Sequence, residues 1–379
     1  MVQVASDRDH FLGSADVRRN GMWFAADESV HVLAYFAVRQ HRAVPLEEFR
    51  RLLPGVRDPG NKPYVALTYV AHPPEFAPGR RLPKFFAWTV ARHGVEVMAC
   101  DVEQGGASIT ALEPHWPTGE LASRRVLVVG AGSIGGATAQ ALAGYGIGHI
   151  DLLDPDRLRD HNVPRHVCTR NQVGMHKVNA LARLISRTWP ETTVQPWVAS
   201  VIEDADLARP LIDAADIVVC TVDGVEPRRV VNYLGQRAST TVVFACVLED
   251  GRYGEVLRVR PLSGVGCLDC QRQALEEGGA MNPEPGLDHG YGEGTRHNPM
   301  TAVGPDLHFV GALAAKVAIA DLLAGPNHVD QFLVSDNVVV SLRPQPGMAR
   351  PFDSSRVLGA SWYPAAKPSS DCPACGVRA

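Results

Sequence analysis

Residues 125–154, RVLVVGAGSIGGATAQALAGYGIGHIDLLD, restrict the fold more than any other stretch of this chain. Val126 to Val129 is a short apolar run rich in β-branched residues, suited to a strand buried on both faces. Gly130, Gly132 and Gly135 follow at G-x-G-x-x-G spacing. The composition turns helical from Ala137 to Tyr145, and a second apolar run, His149 to Leu153, ends in Asp154. Strand, glycine turn, helix, strand and carboxylate in that order make a Rossmann-like βαβ unit with a nucleotide-binding fingerprint. The glycines admit a tight turn and let backbone N–H groups approach phosphates at a helix N-terminus, while the carboxylate takes ribose hydroxyls. The fingerprint does not name the nucleotide, and NAD is the default.

The next residues argue against that default. Asp154, Asp156, Asn162, Arg165 and Lys177 fall in one loop-like segment broken by Pro155 and Pro164. A nicotinamide pocket has no use for two cations and an amide beside the phosphates. A triphosphate, whose charge must be neutralised during transfer, does. Taken alone, such a run also reads as a solvated loop of mixed charge.

The landmarks in this order resemble the E1-like adenylating enzymes, the family of ThiF, the molybdopterin synthase adenylyltransferase, HesA and the ubiquitin-activating enzymes. The family pattern is a glycine-rich loop, D-x-D, N-x-x-R and G-x-x-K. Here these are Asp154-Pro-Asp156, Asn162-Val-Pro-Arg165 and Gly174-Met-His-Lys177. Asp223, after the run Ile217 to Val222, matches the family aspartate that helps hold Mg²⁺. The resemblance covers residues 125–375. It implies that Gly130, Gly132, Gly135, Asp154 and Asp156 take part in binding ATP, and that Asn162, Arg165, Lys177 and Asp223 act on its phosphates and Mg²⁺. The implied reaction joins a carboxylate to AMP and releases pyrophosphate. The implied partner is a small ubiquitin-like or sulfur-carrier protein, or a ribosomal precursor peptide, and the implied assembly a homodimer. Two features depart from the family. The segment EPHWPTGELAS lacks the usual pattern of the arm that lends an arginine to the partner subunit, a part that Arg80 or Arg81 would have to take. The segment 271–300, placed where the family has a crossover loop, has no cysteine to form a thioester. Three other readings stay open at this point: an NAD-dependent oxidoreductase, a tRNA-modifying dehydratase of the same family, and a non-catalytic scaffold.

Two C-x-x-C pairs, Cys267/Cys270 and Cys372/Cys375, complete a tetrahedral set with no open position, as structural zinc requires. Of the other four cysteines, Cys220 and Cys246 lie in apolar strands, Cys100 ends a strand, and Cys168 beside Arg165 is a candidate reactive thiol. Strands alternating with helices from Val178 to Arg260 mean a doubly wound, mostly parallel α/β sheet. The irregular run from Gln271 to Met300 is expected to be a long loop, containing His289 and His297, and Thr301 to Leu323 a helix.

Residues 1–120 read as a separate small α+β module. Helices are expected over Glu28–Arg39 and Pro45–Leu53, and strands over Tyr64–Val70, Phe85–Ala91 and Val95–Cys100. A linker at Leu112–Ser123 leads to an adenylation domain at 121–379. Some family members that modify ribosomal peptides carry an N-terminal peptide-clamp domain of this size, and a packing or dimerisation module fits equally. His31, His41, His72 and His93 have no metal-ligand spacing. A net charge of −4 gives no reason to expect nucleic acid or an anionic membrane as partner. No apolar run reaches membrane length and the first nine residues are no signal peptide, so a cytoplasmic location is expected.

Overall fold

The computed structural model describes residues 2–4, 11–12, 21–98, 100–101, 109–280 and 302–376. The chain divides into two compact units, Met1–Ser108 and Ile109–Ala379. The division falls ahead of the boundary expected at residue 120, because residues 109–122 are not a free linker. Leu121 is fully buried in the core of the second unit, and Trp116 donates its indole N–H to the Tyr145 carbonyl at 2.8 Å.

The first unit contains β1 (Val2–Val4), β2 (Phe11–Leu12), β3 (Gly21–Ala25), α1 (Glu28–Gln40), α2 (Leu46–Leu52), β4 (Tyr64–Tyr69), β5 (Glu75–Ala77), β6 (Arg80–Arg81), β7 (Phe85–Ala91), β8 (Gly94–Met98) and β9 (Cys100–Asp101). Its main sheet has the order β3-β4-β7-β8. Asp27 caps α1 through the Ser29 N–H, and the helix buries Val30, Ala34 and Ala37 against Phe49 and Trp88. His31 is a satisfied core histidine. It is fully buried, with its ring nitrogens 3.0 Å from the Pro83 carbonyl and 3.2 Å from the Thr68 hydroxyl. Arg80 and Arg81 are exposed on β6.

The second unit opens with the short helix α3 (Thr118–Ala122). It continues through β10 (Arg125–Val129), α4 (Ser133–Tyr145), β11 (His149–Leu153), α5 (Lys177–Thr188), β12 (Thr193–Trp197), α6 (Ala205–Ala214), β13 (Ile217–Cys220), α7 (Val225–Ala238), β14 (Val242–Leu248) and β15 (Tyr253–Val259). It closes with α8 (Leu268–Glu277), α9 (Gly304–Leu322), β16 (Asn337–Ser341) and β17 (Ala360–Tyr363). One eight-stranded sheet runs β12-β11-β10-β13-β14-β15-β16-β17. The first five strands are parallel and the last three antiparallel. Val126 and Val128 point into one apolar layer with residues of α4, α5 and α9. Leu127 and Val129 point into the other, with α6, α7 and α8. Burial on both faces is why these strands are continuous apolar runs. Among the described residues no helix is long and apolar enough to cross a membrane.

The chain reverses direction across the sheet at β10, whose neighbours are β11 and β13. Val129 is level with Leu153 on one side and Cys220 on the other. The loops that begin at Gly130, Asp154 and Thr221 therefore leave the sheet together, at the switch point where open α/β sheets bind ligands. One expectation is corrected here. The chain from Gln271 to Glu277 is helical, as part of α8, because Leu268, Gln271, Arg272 and Leu275 are buried on its inner side. Residues 281–301, with His289 and His297, lie outside the described residues.

Candidate active site

The glycine-rich loop owes its shape to close packing. Gly130 adopts φ +91°, a left-handed conformation that side chains disfavour. A Cβ on Gly135 would sit 1.9 Å from the Gly130 carbonyl oxygen, so only glycine lets α4 start this close to β10. At Gly132, which caps α4, nothing lies within 4 Å of where a Cβ would be. The loop is therefore open at a helix N-terminus, where backbone N–H groups can meet an anion.

Side chains brace the loop at successive peptide groups. The Thr221 hydroxyl donates to the Gly130 carbonyl at 2.8 Å. Asp154, only 7% exposed, accepts the Ala131 N–H on Oδ2 at 2.7 Å and the Asp156 N–H on Oδ1 at 2.8 Å. Burial raises the Asp154 carboxyl above its usual range, against the pull of Lys177 and the Ala131 N–H. His166 holds the next peptide, through the carbonyl of Ala131. Its Nδ1 accepts the Cys168 N–H at 3.0 Å, so the hydrogen is on Nε2, which donates to the Ala131 carbonyl at 2.8 Å. Burial lowers the His166 pKa to about 4, with Lys177, His308 and Arg165 adding in the same direction. The imidazole is therefore neutral in the folded protein at pH 7.

The cations stand around this loop. Lys177 opens α5, donates its backbone N–H to the Asp156 carbonyl at 2.9 Å and pairs with Asp156 Oδ2 at 2.7 Å. Its side chain is 14% exposed and that of Asp156 64%. Asn162 accepts the Arg159 N–H on its side-chain oxygen, which closes the turn carrying Arg165. Arg165 is half-buried, and its guanidinium makes no hydrogen bond or ion pair among the described residues. Asp223 is exposed just beyond β13, and Arg228 holds its backbone. The buried guanidinium donates to the carbonyls of Gly224 at 3.0 Å and Asp223 at 3.1 Å. Sequence reasoning singled out neither His166, Thr221 nor Arg228. The only trace of them is a polar residue directly after Arg165, a hydroxyl ending an apolar strand, and an arginine one turn past Asp223.

The structure overturns one candidate. Cys168 is 2% exposed and burial pushes its thiol up to about 12, so it is not a ready nucleophile. Burial likewise pushes up the thiols of Cys220 and Cys246.

Cys267, Cys270, Cys372 and Cys375 come together although the pairs are about a hundred residues apart in sequence, and their sulfurs all lie within 4.8 Å of one another. Cys267 Sγ is 3.5 Å from Cys372 Sγ, and Cys270 Sγ 3.5 Å from Cys375 Sγ. Four thiolates bound tetrahedrally to zinc at roughly 2.3 Å sit roughly 3.8 Å apart, so the cluster fits such an ion. The cluster is tied to the rest of the site through α7. Asn232, one turn beyond Arg228 and fully buried, accepts the Leu268 N–H at the start of α8 and donates to Asp269.

Residues 116–350 match the ThiF family. The chain belongs to that family. Its relatives include the molybdopterin-synthase adenylyltransferase of Escherichia coli, 28% identical over 54% of this chain and 75% of that one. The sulfur carrier protein ThiS adenylyltransferase of Bacillus subtilis is 31% identical, over 46% and 52% respectively. The adenylyltransferase and sulfurtransferase UBA4 of Yarrowia lipolytica is 29% identical, over 44% and 43%. This ThiF-family chain spans less than half the length of the first curated relatives it matches. Among solved structures, E. coli MccB with MccA-N7isoASN superposes with TM-score 0.51 at 20% identity, over 68% of each chain, a likeness of fold.

Proposed function

We propose that the protein is an ATP-dependent adenylyltransferase. It turns a carboxylate, the C-terminus of a small sulfur-carrier or ubiquitin-like protein or of a ribosomal peptide, into an acyl-AMP. The observation that carries this reading is the braced glycine-rich loop, open at Gly132, with Lys177 paired to Asp156, whose N–H the bracing Asp154 accepts, and Arg165 directly before the bracing His166. Relatives named adenylyltransferase support it.

In this reading ATP lies with its phosphates at the N-terminus of α4. Asp156, or the rim of Asp154, faces the ribose, and Asn162, Arg165 and Lys177 hold the phosphates. A carboxylate oxygen attacks the α-phosphorus. The α–β bridging P–O bond breaks, and its electron pair leaves with pyrophosphate. A carboxylate is already ionised and needs no base, so the work of the chain is positioning and charge neutralisation. Asp223, an exposed hard-oxygen ligand on an anchored backbone, suits Mg²⁺, which when bound neutralises phosphate charge. Lys177 is held ready by Asp156 and exchanges that partner for phosphate. The four cysteines hold structural zinc, which staples the chain end to α8.

Pyrophosphate exchange tests this. Candidate carrier proteins and peptides are incubated with ATP, Mg²⁺ and labelled pyrophosphate, and mass spectrometry looks for a partner that has gained AMP. Label should enter ATP only when a carboxylate partner is present. Lys177→Ala and Asp223→Ala should each cut exchange about 100-fold or more with unchanged circular dichroism. Exchange that survives both substitutions refutes the assignment.

A further inference from the structure

Three residues of α9, Gly304, His308 and Gly311, are spaced i, i+4, i+7 and so form one stripe of the helix. At one end, Gly304 lies so close to the N-x-x-R turn that a Cβ would come within 3.0 Å of the Arg165 Cα and the Pro164 carbonyl oxygen. One turn on, His308 Nε2 is 2.9 Å from the Arg165 carbonyl oxygen. A carbonyl only accepts, so this nitrogen carries the hydrogen and donates. A further turn on, a Cβ on Gly311 would come within 2.5 Å of the Ile134 carbonyl oxygen, and the Thr138 hydroxyl donates to the Gly311 carbonyl at 3.1 Å. Ile134 and Thr138 belong to α4, whose N-terminus is the glycine-rich loop. The stripe thus spans from the helix that bears the glycine-rich loop to the backbone of Arg165.

We propose that His308 is a positioning residue. By anchoring the Arg165 carbonyl to α9, it sets the distance between the Arg165 guanidinium and the open loop at Gly132. The Asn162 carbonyl accepts the N–H groups of Arg165 at 3.0 Å and His166 at 2.9 Å, so the peptide between Arg165 and His166 is held by its N–H on one side and, through His308, by its carbonyl on the other. Without the His308 donor only the N–H side is held, and the peptide tilts about that bond and carries the Arg165 Cα with it. The inference rests on the reading that Arg165 grips the phosphates of ATP. A histidine that merely packs α9 would instead affect stability and leave phosphate binding alone.

The test is calorimetric titration of the full chain with ATP and Mg²⁺. His308→Leu should weaken binding about tenfold, the loss expected when the hydrogen bond of the Arg165 guanidinium to a charged phosphate is misplaced. His308→Gln, whose amide N–H reaches the same oxygen, should bind within about twofold of the unaltered protein. His308→Asn, polar but too short, should weaken binding as leucine does, and it replaces the leucine variant if that one fails to fold. In an Arg165→Ala background the His308 substitutions should cost nothing more, because they act through that arginine. Equal ATP affinity in His308→Leu or His308→Asn and the unaltered protein overturns the inference. So does a loss that simply adds to that of Arg165→Ala, or one that glutamine fails to restore. If Arg165→Ala itself leaves ATP affinity unchanged, the proposed function fails and this inference with it. If Arg165→Ala weakens binding and the His308 variants do not, only the inference fails.

Discussion

His166 gives the sharpest test of how the glycine-rich loop is held. In the unfolded chain its imidazole titrates near 6.5, and in the folded protein burial takes it down to about 4. Above pH 6.5 the ring is neutral in both states and its bonds to Ala131 and Cys168 contribute fully. As pH falls below 6.5 the unfolded chain binds a proton that the folded protein refuses, so stability drops until about pH 4, where both states are protonated. The slope is about 1.4 kcal/mol per pH unit. Between roughly pH 7 and roughly pH 5 the accumulated loss is about 2 kcal/mol. His166→Gln keeps an N–H for the Ala131 carbonyl and an oxygen for the Cys168 N–H, and it does not titrate. Urea unfolding of both proteins across this range isolates the histidine, because every other titrating group is shared. The unaltered protein should lose about 2 kcal/mol more than His166→Gln. Parallel curves would mean that the ring is solvated and that the loop is not clamped as described.

Other outcomes follow from the same contacts. Gly135→Ala drives a methyl into the Gly130 carbonyl and should cost about 1–3 kcal/mol in thermal or urea unfolding, with ATP binding lost in titration. The Arg272 guanidinium and Glu255 carboxylate form a buried bidentate pair, with Nη1 2.8 Å from Oε1. Arg272→Met leaves that carboxylate uncompensated and should destabilise by about 3–5 kcal/mol, while an apolar pair replacing both residues recovers most of the loss. Elemental analysis should find about one zinc ion per chain. Cys372→Ser should release it and lower the melting temperature, and an unchanged metal content would dismiss the four-thiolate site.

Much of the site was legible in the order of residues, and the reason is local geometry. A G-x-G-x-x-G turn between an apolar strand and a helix is dictated by φ freedom and helix termini, and these are properties of neighbours in sequence. The same holds for the two C-x-x-C pairs, since each thiol pair is set by one turn of chain. Element boundaries came within a few residues wherever one face is consistently apolar, as in α1 and β7. They failed where burial decides against composition. The linker ahead of β10 folds because Trp116 and Leu121 have a core to enter, and the loop expected from Gln271 begins as helix because Arg272 has Glu255 to meet.

Roles shifted for the same reason. Asp154 stands where the fingerprint places a ribose ligand, and the fold gives it a second task, since its two oxygens accept the backbone N–H groups of Ala131 and Asp156. Cys168 reads as reactive beside Arg165 and is silenced by burial. The sequence by itself determined which chemical groups the chain brings to its candidate site and to its cysteine cluster, because type and short spacing are properties of the string. Tertiary structure alone decided what braces them. His166 meets Ala131, His308 meets Arg165 and Cys267 meets Cys372 only after the sheet has reversed at β10 and the helices have closed over both faces. Contacts across such separations depend on how layers pack, and no local pattern encodes that.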